Sequence, residues 1–119
     1  MLLDLVVPSS VGHIKYSNLT ATGFTLNWAL PSFNGNTPII YYIIMILNHQ
    51  NQSAAHYNCQ RTSTVDLCTV NSSFVVIDGL YPYHRYLIKV WAVNKVGKSQ
   101  SNNISITTDQ SGKDLALLS

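Results

Sequence analysis

The chain has 119 residues, 46% of them hydrophobic and only 10% charged, with a formal net charge of +2 at pH 7. That is the size of one domain and enough apolar material for one core, which excludes an intrinsically disordered chain. The seven Lys and Arg are scattered, with Lys89, Lys95 and Lys98 the densest group, too thin a stripe for nucleic acid.

Taken in chain order, the first residues (MLLDLVV) carry Asp4 inside an apolar stretch and no basic leading region, which makes a poor signal peptide. Residues 1–7 therefore read as a leader or linker of a longer chain. "VGHIKYSNLT" is a short first strand. "GFTLNWAL" sets Phe24, Leu26 and Trp28 two apart, so they share one face of an extended segment. "PSFNGNTP" is a loop by its prolines and its Asn34-Gly35 pair. The apolar run at residues 39–47 has strand length and is too short to span a bilayer as a helix, so no direct membrane insertion is expected. Residues 48–73 are polar, with weak strand character near Thr69 and Val70. "SFVVIDGL" is a strand ending at Gly79, and "YPYH" turns the chain. "RYLIKVWAV" alternates again, with Tyr86, Ile88, Val90 and Ala92 on one face. "NKVGK" is a turn, "NISITT" a last strand, and residues 109–119 a linker or tail. No window has a helical period. Several short strands between turn signals predict an all-β sandwich or barrel.

One stretch, "AVNKVGKS" at residues 92–99, fits a relaxed phosphate-loop pattern. Such a loop needs a helix immediately after it, whose N-terminus holds the phosphates. "SQSNNISITTDQ" is poor in helix formers and β-branched toward its end. Nucleotide binding is not expected, and no cofactor is expected.

The same letters fit a different frame. Leu80-x-Pro82 is followed by Tyr86-x-Ile88-x-Val90-x-Ala92-x-Asn94-x-x-Gly97-x-Ser99. Upstream stand Pro8, Phe24-x-Leu26-x-Trp28, Pro31, Asn34-Gly35 and Ile39-x-x-Tyr42-x-Ile44. Over residues 8–108 this resembles a fibronectin type III domain, with two departures: His84 where Thr is common and Asn102 where Ser is common. The resemblance implies a seven-stranded antiparallel immunoglobulin-like β-sandwich, with strands A, B and E in one sheet and C, C′, F and G in the other. It implies that Trp28, Tyr42, Leu80, Pro82 and Tyr86 form the structural core. It also implies a tyrosine corner, with the Tyr86 hydroxyl bonded to backbone near residues 80–82. Asn94 and Gly97 suit a turn of positive φ.

Cys59 and Cys68 are the only cysteines, separated by eight residues within the polar stretch. Two free thiols or a disulfide are both open, and the hydroxyl-rich surroundings favour a disulfide in an oxidising compartment. A zinc site from His56, Cys59 and Cys68 lacks a fourth ligand. Asn-x-Ser/Thr sequons occur at Asn18, Asn51, Asn71 and Asn103, all in expected turns or strand ends. The chain is therefore expected to be extracellular. Catalysis has little to use: the four histidines are scattered and the five acidic residues are all Asp. No enzyme is expected.

The outward faces say more. If Tyr42, Ile44 and Ile46 face the core, then Tyr41, Ile43 and Met45 face away. If Tyr86, Ile88 and Val90 face the core, then Leu87, Trp91 and Val93 face away. In the resembling fold strands C and F are neighbours, so Tyr41, Ile43, Met45, Leu87 and Trp91 would form one apolar patch. The expected function is a non-catalytic adhesion or protein-interaction module of a cell-surface receptor. It would contact a partner protein or itself through the C–F–G face, with glycans on other surfaces. The alternative is a spacer whose apolar face packs on a neighbouring domain of the same chain. Neither an Arg-Gly-Asp tripeptide nor a Trp-Ser-x-Trp-Ser motif is present.

Overall fold

The computed structural model describes residues 3–48, 56–57, 60–62 and 67–110. Its strands are β1 (Lys15–Ser17), β2 (Phe24–Asn27), β3 (Tyr41–Asn48), β4 (His56–Tyr57), β5 (Gln60–Thr62), β6 (Leu67–Val70), β7 (Phe74–Asp78), β8 (Arg85–Val93) and β9 (Asn102–Thr107). They form two antiparallel sheets, in the orders β1-β2-β7-β4 and β5-β6-β3-β8-β9. Among the described residues there is no helix.

Seven of these strands are the expected ones: β1, β2 and β7 are A, B and E, and β6, β3, β8 and β9 are C′, C, F and G. The short β4 and β5 were not anticipated. β4 pairs with β7 on one sheet and β5 with β6 on the other, so the polar stretch feeds both sheets.

Period-two burial builds the core. Phe24 and Leu26 on β2 and Val75 and Ile77 on β7 face inward from one sheet. Tyr42, Ile44 and Ile46 on β3, and Tyr86, Ile88, Val90 and Ala92 on β8, face inward from the other. Each large apolar side chain removed from water contributes about 1.5–3 kcal/mol before entropy is charged against it. Trp28 follows β2 and is buried, its ring edge-on to Tyr42 at 5.4 Å between centroids. Its Nε1 finds no hydrogen-bond partner among the described residues.

The tyrosine corner is present. The Tyr81 amide donates to the buried Tyr86 hydroxyl at 2.9 Å. Thr108 fastens the same turn to the end of β9: its hydroxyl donates to the Tyr81 carbonyl at 2.7 Å and accepts from the His84 amide at 3.0 Å. Leu80 is buried here, but Pro82, expected in the core, is only half-buried; it lies in the turn after Leu80, where its carbonyl is 2.7 Å from the His84 Nδ1.

Candidate interaction face

Register decides which side chains meet on the outer side of the second sheet. β3 and β8 are paired Tyr41 to Val93, Ile43 to Trp91, Met45 to Lys89 and Leu47 to Leu87. On one flank Thr69 of β6 stands opposite Ile43, and on the other Ser105 and Asn103 of β9 stand opposite Leu87 and Lys89. Directly paired side chains lie about 4.5–5.5 Å apart at Cβ. Tyr41, Ile43, Met45, Leu87 and Trp91 therefore share one face. Leu87 is exposed and the other four are half-buried, since they shield one another.

Three details differ from expectation. Val93, expected to face water with Leu87 and Trp91, is buried. Lys89, not anticipated on this face, stands at its middle between Met45 and Asn103. The Lys98 ammonium sits 5.1 Å from the centroid of the Trp91 ring, a cation–π contact that caps one side of the indole. This lysine is the one that completed the phosphate-loop letters. Among the described residues no helix follows Gly97; Lys98 instead bridges back to Val93, and Ser99 is buried with its hydroxyl accepting from the Ala92 amide at 2.9 Å.

The turn before Lys98 is also held differently. Neither Asn94 nor Gly97 has positive φ; the left-handed residues among those described are Asn18, Gly35, Asn36, Gly79 and Tyr83. Asn94 holds the turn with its buried side chain, whose Oδ1 accepts from the Val96 and Gly97 amides at 2.9 and 3.2 Å. Its Nδ2 donates to the carbonyls of Val6 at 2.7 Å and Asn34 at 2.9 Å. One amide thus ties together the leading segment, the loop before β3 and the β8–β9 turn. Gly35 takes φ +85 beside it, and a Cβ there would overlap the Val6 carbonyl oxygen.

The other sites are placed as follows. Asn18 and Asn71 are exposed in turns, between β1 and β2 and between β6 and β7. Asn103 is exposed on β9 and points out of the face just described. The expectation put glycans on other surfaces; this sequon lies on the same face as the apolar residues. Cys68 is fully buried on β6. Cys59 and Asn51 lie outside the described residues. A groove beside the loop before β3 is lined by Leu30, Phe33, Pro38 and Tyr42 among others, with no carboxylate, histidine or cysteine.

Two facing antiparallel sheets, a tryptophan between them and a tyrosine corner define an immunoglobulin-like β-sandwich domain. The fibronectin type III domain model matches residues 9–108, and the chain belongs to that family. It is 34% identical over 113 residues to the cell adhesion molecule DSCAM of Rattus norvegicus, covering 94% of this chain and 5% of that protein. It is 35% identical over 78 residues to protein sidekick-1 of Mus musculus, covering 64% of this chain and 3% of that one. The chain thus spans a small fraction of the curated relatives it matches. Among solved structures, domains d3–d4 of the rat CD45 extracellular region align with a TM-score of 0.69 at 17% identity, covering 87% of this chain and 51% of that one, a likeness of fold alone.

Proposed function

We propose that this domain is a non-catalytic extracellular module of a multidomain cell-surface adhesion protein, and that it makes protein contact through the outer face of β3, β8 and β9. The observation that carries this reading is the run of Tyr41, Ile43, Met45, Leu87 and Trp91 in adjoining register on one outward face. A solvated sheet face ordinarily alternates with polar residues, and a contiguous apolar patch marks a contact. The relationship to a cell adhesion molecule supports the same role. Export is supported by three exposed sequons and by Cys68, which is not a free thiol; a Cys59–Cys68 bridge is part of the proposal.

The partner we propose to test first is a second copy of the domain. Beads coated with unglycosylated domain should clump, and Trp91→Ala beads should not. Dispersed wild-type beads count against the reading.

A second reading, packing on a neighbouring domain, is favoured by a different place. Leu5, Val7, Phe33 and Val96 are all exposed at the end where Asn94 pins the leading segment. A two-domain protein in which Val96→Ser loosens the angle between domains, measured by small-angle scattering, would support it.

A further inference from the structure

Asn103 is the one described sequon that lies within a strand, and it lies on the contact face. Asn103 pairs with Lys89, and Ser105, the hydroxyl residue of the sequon, pairs with Leu87. Both are exposed on the outward side, while Ile104 between them is half-buried and packs against the core. β9 is an edge strand, so nothing in the sheet lies beyond Asn103 to deflect a substituent. Lys89 is its direct neighbour, and Leu87 and Trp91 are its two diagonal neighbours, about 7–8 Å away. Met45, two strands over, lies about 10 Å away by the spacing of strands.

We infer that Asn103 carries an N-linked glycan whose first sugars lie over Leu87 and Trp91, so that its occupancy sets how much of the face is open to a protein. In the modification, the Asn103 side-chain amide nitrogen bonds to the anomeric carbon of an oligosaccharide carried on a lipid pyrophosphate. The carbon–oxygen bond to the pyrophosphate breaks, the amide proton goes to a base of the transferring enzyme, and the lipid pyrophosphate leaves. A sugar ring has one face of C–H groups, which fits an indole and a leucine better than water does. Lys98, whose ammonium is 5.1 Å from the Trp91 ring centroid, covers part of the indole as well. With the glycan present, the half of the face on β3 and β6 stays open. Without it, β8 joins the contact surface.

The glycan's position is independent of the adhesion reading; its effect on contact rests on that reading. The test uses the chain secreted from mammalian cells behind a signal sequence, beside Ser105→Ala and Asn103→Gln, which remove the sequon. Mass spectrometry reads occupancy at Asn103. Acrylamide quenching of tryptophan fluorescence reads cover over Trp91, because Trp28 is only 5% exposed. The expected result is an occupied Asn103, a quenching constant at least twofold higher in both variants, and bead clumping at least fivefold stronger. An unoccupied Asn103, or equal quenching with and without the glycan, overturns the inference. Different quenching with no clumping in any form leaves the glycan where we place it and removes the adhesion reading instead.

Discussion

The Tyr86 hydroxyl and the Tyr81 amide, five residues apart and 2.9 Å from donor to acceptor, close the crossover between the sheets. The Tyr86 ring is 2% exposed, so one side chain both fills the core and satisfies the turn. Tyr86→Phe keeps the filling and leaves the Tyr81 amide without its acceptor. The expected loss is about 1–3 kcal/mol in urea denaturation, with the fold retained by circular dichroism.

Burial raises the pKa of Tyr86, opposed in part by the Tyr81 hydrogen bond, and burial raises that of Tyr42. The folded state therefore holds both phenolic protons more tightly than the unfolded chain. Their contribution is complete below about pH 10, the ordinary tyrosine value, and is lost as pH rises through the higher folded values. The urea midpoint should fall above about pH 10, and less steeply in Tyr86→Phe.

Asn94 joins three segments through four hydrogen bonds from one buried amide. Asn94→Ala should cost about 2–3 kcal/mol and free the leading segment, seen as faster hydrogen exchange at the Val6 amide, which bonds to Gly35. Gly35→Ala should give the same exchange signature, because it pushes directly on the Val6 carbonyl.

Trp28 fills space between the sheets but leaves its Nε1 unsatisfied among the described residues. Trp28→Ala should cost about 3–5 kcal/mol. Trp28→Phe should cost clearly less, since it removes the orphaned donor along with part of the volume. Thermal unfolding of the pair gives the comparison.

Much of the fold was legible because water treats the two faces of a strand differently. Phe24, Leu26, Tyr42, Ile44, Ile88 and Val90 announce the core by alternation alone. What escaped depends on groups distant in sequence. Asn94 bonds to Val6, 88 residues away, and its letters alone suggested only a turn. β4 and β5 arise in polar sequence where pairing with β7 and β6 outweighs local preference. Lys89 stands in an otherwise apolar alternation, so the local pattern around it gives no sign of a charge at the middle of this face. The placement of Asn103 on the same outer face as Leu87 and Trp91 required the β8–β9 register, which no local pattern specifies.

The contact face is tested most directly by bead clumping of unglycosylated domain against its Trp91→Ala variant. Trp91 is half-buried on the surface of the sheet, so its removal should cost at most about 1 kcal/mol of stability. Clumping of the wild type, reduced at least fivefold in the variant with an unchanged circular dichroism spectrum, is the result expected. Equal clumping of both, or none by the wild type, would contradict a contact made through Trp91 and its neighbours.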